Sequence, residues 1–185
     1  MKKLMMTLAA VLCCGMIVSC NKSNTAQQDQ KQDEKEAKDT TPAFIKATFT
    51  FYGTEDMVAI ADMTGIFNDG TGEKTEPIQT AEWSKTLQAA LPATLTFGRT
   101  VKLKEGVELS AEKSYTYSRK HGITWVILNA KGEVITNAGG FDNGGTLSPQ
   151  TMNGSQIAVI LESHRMDATH TYKFDKDGKY LIEEE

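Results

Sequence analysis

Three side chains with metal-ligating chemistry stand evenly spaced toward the C-terminal end: His164, Asp167 and His170, in the run HRMDATH. Imidazole nitrogens and a carboxylate oxygen are donors that a divalent transition metal accepts. Spacing alone does not bring them together. They converge only if IAVILES (Ile157–Ser163) and THTYKF (Thr169–Phe174) pair as a hairpin turning near Asp167. His164 and His170 then face each other across the ladder, with Cβ atoms about 5 Å apart. The plainer reading is two polar residues at an exposed hairpin end, since two histidines and one acid still lack a further ligand. His121 falls in the turn Arg119-Lys120-His121-Gly122 and reads as exposed and inert.

Catalytic signatures are missing. The chain has no G-x-S-x-G elbow, no H-E-x-x-H, no Walker loop and no G-x-G-x-x-G. No enzyme activity and no cofactor are expected. The segment AGGFDNGGT sets Phe141, Asp142 and Asn143 between two Gly-Gly steps. It reads as a recognition loop with Phe141 at its tip, or as a plain connection rich in turn residues. Asp175-Lys176-Asp177-Gly178 begins like a Ca²⁺ loop, but Tyr180 occupies the position that needs glycine, so a turn explains it. Asn68–Glu73 carries oxygen donors in a longer loop, and Asn, Asp and Gly are also ordinary loop residues. Tyr52, Tyr115, Tyr117, Tyr172 and Tyr180 all fall on expected strands. There they can stack on a sugar ring or pack with a wet hydroxyl.

The elements that must position these residues are mainly strands. Ile45, Ala47, Phe49 and Phe51 alternate with polar residues, the mark of a half-buried strand. Met57–Met63 is a second candidate. Thr94–Lys104 is a third, with Leu95, Phe97, Val101 and Leu103 on one face and a possible bulge at Gly98. Ser114–Arg119 follows. ITWVILN (Ile123–Asn129) is apolar on both faces and reads as a central strand, turning at Lys131-Gly132 into Glu133–Asn137. IAVILES reads as a second central strand. Thr169–Phe174 and Lys179–Glu183 form a hairpin across Asp175–Gly178. One helix is expected over 81–91, with Thr80 as its cap, Trp83 facing the core and Pro92 as its stop. About eight hairpin-linked strands with one short helix predict an all-β, broadly immunoglobulin-like sandwich, with a barrel as the alternative.

The start of the chain reads MKKLMMTLAAVLCCGMIVSC. Its apolar core, Leu4–Val18, is fifteen residues long, short of the roughly 20 that a membrane span needs. With its basic start and small residue before Cys20 it suits a processed leader. Ile17-Val18-Ser19-Cys20 resembles the lipobox of bacterial lipoproteins at every position. The resemblance implies cleavage before Cys20, lipid on the Cys20 thiol and the new amino terminus, and attachment to the outer membrane of a bacterial envelope. Cys13, Cys14 and Cys20 are the three cysteines of the chain. After such processing the domain has no thiol for a disulfide or a nucleophile. Some lipoproteins of the Bacteroidetes carry a surface signal of acids just after the lipidated cysteine. Here the nearest acid is Asp29, so a periplasmic or a surface location both stay open.

Residues 21–42 are polar and nearly neutral in charge. They cannot bury enough apolar surface to offset the entropy of ordering. They read as a tether of roughly 25 Å average span, leaving 43–185 as one domain. The net charge of −4 argues against a nucleic-acid partner. A noncatalytic lipoprotein that binds a protein or glycan partner fits best. VELSAEKSYTYSRKHGITW (Val107–Trp125) resembles fimbrillin lipoproteins in its strand-and-turn texture, which implies a pilus-like subunit as the alternative. Oligomeric state is not legible.

Overall fold

A computed structural model describes residues 38–142 and 149–181, with the side chains of 137, 138 and 142 left aside. Cys20, the leader, most of the tether and Asn143 lie outside these residues. The first sheet is built around β1 (Phe44–Tyr52), whose inward residues Ile45, Ala47, Phe49 and Phe51 are all buried. β1 lies between β4 (Glu82–Ala90) and β7 (Lys120–Leu128), and β8 (Val134–Asp142) forms the far edge, giving the order β4-β1-β7-β8. The second sheet runs β11 (Tyr180–Leu181), β10 (Ala168–Phe174), β5 (Ala93–Leu103), β2 (Ala61–Asn68), β3 (Glu73–Ile78). A small third piece pairs β6 (Ser114–Tyr117) with β9 (Gln150–Asn153). Every pairing is antiparallel. The molecule is an all-β sandwich, and none of its sheets closes into a barrel.

The two inner faces meet through aromatic rings. Phe49 on β1 stacks on Phe97 on β5, centroids 5.4 Å apart. Trp83 on β4 reaches across to Gly65 on β2. A Cβ built at Gly65 would lie 2.4 Å from Trp83 Cζ2, so the missing side chain is the space the indole fills. Trp83 Nε1 donates to Glu76 Oε1 at 2.8 Å, and Lys85 pairs with the other oxygen of Glu76. Lys85 also lies 3.9 Å from the centroid of the Phe67 ring. This network closes the β3/β4 side of the sandwich.

Three expected elements differ. Residues 82–90 form strand β4, not a helix. EWSKTLQAA fits both periods, but β1 offers nine paired residues of ladder, and a strand puts Trp83, Lys85, Leu87 and Ala89 all inward. Propensity yields to such tertiary pairing. The chain then turns at Leu91-Pro92, whose peptide is cis. Residues 57–63 split: α1 (Glu55–Ile60) starts at the Thr54 cap, and β2 begins at Ala61. IAVILES belongs to α2 (Gly154–Glu162), opened by a reciprocal cap between Asn153 and Gln156. Ile157 and Leu161, one helical turn apart, are buried. Gly98 marks no bulge, since pairing runs through it on both sides. A Cβ there would sit 2.5 Å from the Ala168 carbonyl oxygen, so glycine permits a close strand approach.

Candidate functional site

The side of the sandwich between the edge strands β8 and β11 is lined largely by rings. Trp125 on β7, Phe141 on β8 and Tyr180 on β11 lie with centroids 5.9–6.1 Å apart. Tyr172 and Phe174 on β10 pack behind them. β10 and β11 are held together by the turn that Asp175 organises. Its carboxylate accepts from the Asp177 and Lys179 amides, both at 2.9 Å. Gly178, at φ 77°, packs against Ile127 where no Cβ would fit. The turn thereby covers the end of β7.

A cleft of about 410 Å³ opens here, with Trp125 and Tyr180 as its aromatic wall and Thr136, Asp177 and Lys179 at its polar margin. Asp177 is held ionised, its carboxyl lowered by the hydrogen bond from Lys176. Across β8, on the outer face of the first sheet, lies a trough of about 400 Å³. Its floor is Gly122 and Gly140, its walls carry Thr48, Thr50 and Thr124, and Tyr52 stands at its end. Cross-strand hydroxyl pairs Thr48–Thr86 (2.8 Å) and Thr50–Ser84 (2.9 Å) order that surface. Rings beside a few fixed donors and acceptors can stack on and hydrogen-bond a polyhydroxylated ligand.

Phe141 is central to this edge, but not as a loop tip. It lies on β8 opposite Ile123, its ring against Trp125, Tyr172 and Tyr180, and it is 43% exposed. Asp142 pairs with Gly122 at the end of the same strand, and Asn143 lies outside the described residues. Of the five tyrosines, Tyr115, Tyr117 and Tyr172 are buried, whereas Tyr52 and Tyr180 are partly open. The Tyr172 hydroxyl is buried without a partner, and burial raises its pKa.

The histidines are not where the sequence places them. Because 154–162 is helical, the hairpin that would set His164 opposite His170 does not form. His164 follows α2 at φ 55°, and its Nδ1 meets Asp167 Oδ2 at 3.1 Å. Asp167 Oδ1 accepts from the Val101 amide at 2.8 Å, so the carboxylate joins the end of α2 to β5. His170 pairs instead with Phe97, inside the sandwich. Among the described residues no three His, Cys, Asp or Glu side chains gather as a metal would need.

His121 is the larger departure. It is 7% exposed, on β7, stacked on Phe49 at 5.4 Å and 4.2 Å from the His170 centroid. Its parity with Ile123, Trp125 and Ile127 carries the signal; beginning the strand at Ile123 hides it. Arg99 shares parity with Leu95, Phe97 and Val101 in the same way. It is 2% exposed, its guanidinium 4.1 Å from the Phe51 centroid, with Nε and Nη1 unpartnered. Burial pulls its pKa down to about 10, Asp167 opposing and Arg119 adding to the effect. Burial and then Arg99 lower the pKa of His170.

Fold and site together define a class: an antiparallel two-sheet sandwich with an aromatic cleft along one open edge. No family model, no curated protein and no solved structure matches this chain.

Proposed function

We propose that the chain is a noncatalytic lipoprotein of a bacterial envelope, anchored through Cys20, whose sandwich binds a glycan along the β8/β11 edge. One observation carries the reading: Trp125 and Tyr180 line a cleft with Thr136, Asp177 and Lys179, and Phe141, packed against both rings, is 43% exposed. A pyranose ring offers C–H groups to such faces and hydroxyls to such margins. Affinities measured for soluble peptidoglycan fragments and surface-polysaccharide oligosaccharides test it, in the full chain and in Phe141→Ala and Tyr180→Ala. Each loss of an aromatic contact is worth about 1 kcal/mol or more, so binding weakens several-fold or more in each variant. Unchanged affinity in both variants contradicts the reading. The anchor is tested separately by the mass of the N-terminal peptide from membrane fractions, which carries acyl groups in the natural chain and none in Cys20→Ser.

A second reading, a pilus-like subunit, has one observation in its favour. β8 is a sheet edge and displays Val134 (47% exposed) and Phe141. Such an edge can accept a strand from another copy. Concentration-dependent sedimentation supports this reading; a monomer at every concentration tested ends it.

A further inference from the structure

A separate notch, sharing no residue with the aromatic cleft, lies where β6 and α2 meet. It holds about 130 Å³ and is lined by Tyr117, Arg119, Met152, Ile160 and Arg165. That volume is roughly four waters' share of the liquid at ~30 Å³ each, enough for a carboxylate or phosphate head. Among the described residues neither the Arg119 nor the Arg165 guanidinium has a hydrogen-bond or ion-pair partner. Arg99 is nearly fully buried, with two nitrogen positions unsatisfied. Arg119 is near enough to Arg99 for their like charges to oppose one another.

Asp167 is the acid that interacts with Arg99, and both its oxygens are already engaged by Val101 and His164. Two guanidiniums, Arg119 and Arg165, therefore share the notch in a chain whose net charge is −4. Guanidinium forks match carboxylate and phosphate oxygens two at a time.

The notch continues into an open shelf along α2. Met152, Ile160 and Arg165 belong to both, and Val159, 57% exposed, extends the apolar surface. A free inorganic ion would leave that shelf unused. We propose that this notch binds an amphiphilic oxyanion, its carboxylate or phosphate between Arg119 and Arg165 and its apolar chain over Met152, Val159 and Ile160.

The test titrates the full chain with octyl phosphate and octanoate below their micelle concentrations, with octyl glucoside and inorganic phosphate as controls. One-site binding of the octyl anions is expected, weakened about tenfold by Arg119→Gln and again by Arg165→Gln. Added salt weakens it further. Arg119→Lys and Arg165→Lys keep the charge without the fork and give intermediate losses. Melting temperatures of all variants confirm that a loss is not unfolding. A parallel arm compares phosphatidylglycerol vesicles with phosphatidylcholine vesicles, for the natural chain and for the double Gln variant. Binding to octyl anions identifies a free amphiphile as the source. Binding confined to the anionic vesicles and lost in the double variant identifies a bilayer headgroup. Equal binding of octyl glucoside, unchanged binding in the double variant, or silence in both arms overturns the proposal.

Discussion

His170 shows how far burial alone can redirect a residue. Read in sequence it is half of a surface pair; in the structure its ring lies against His121, Phe49 and Tyr172, near Arg99. Its lowered pKa fixes a pH dependence. The unfolded chain takes up the proton first as pH falls through about 6.5. Stability present above that point is lost as pH drops toward the folded-state value. His170→Phe removes this component, so melting temperature falls less steeply from pH 7.5 to 5.5 than in the natural chain. Equal slopes contradict the assignment. Gly65 makes a second case. Alanine there collides with the Trp83 indole, forces it off Glu76, and costs about 1–3 kcal/mol by overpacking. Chemical denaturation checks that figure.

At the scale of elements, alternation was legible wherever one face was buried and the other wet. β1, β5 and the β10–β11 hairpin read correctly for that reason, and β7 by being apolar on both faces, though it begins at Lys120 rather than Ile123. The misread segments carry two compatible periods. EWSKTLQAA satisfies helix and strand alike until β1 supplies a ladder. IAVILES is rich in β-branched residues, yet Asn153-Gly-Ser-Gln156 ahead of it spells a capping box. That cap gives a prediction: Asn153→Ala costs about 1 kcal/mol and loosens α2, seen as faster amide exchange over 154–162. The Glu76 latch gives another. Its carboxyl is lowered chiefly by the hydrogen bond from Lys85. The latch stabilises above the unfolded glutamate pKa and is lost as pH falls through the folded value. Glu76→Gln costs about 1 kcal/mol or less at neutral pH, and progressively less as the medium is acidified through the lowered pKa of Glu76, where the natural latch itself takes up a proton.

The whole molecule reads as a division of labour between two sides. One is sealed by Trp83, Glu76 and Lys85; on the other, Phe141 and Tyr180 stay partly open over the buried Trp125. The fold class was legible because strand texture recurs along the chain, and Phe141 stood out by its glycine neighbours. The cleft itself was not legible. Trp125 is far in sequence from Asp177 and Tyr180 and meets them only through the packing of β7 and β8 against the β10–β11 hairpin. The buried Arg99 and His121 needed both sheets before their parity had meaning. The chain carries two tryptophans, one on each side of the sandwich, and that arrangement supplies its own control. Indole N–H resonances of the full chain, followed as soluble envelope glycans are added, test the glycan-edge reading directly. The account predicts that Trp125 shifts and saturates while Trp83 holds still; a shift confined to Trp83, or none at either indole across the glycan set, contradicts it.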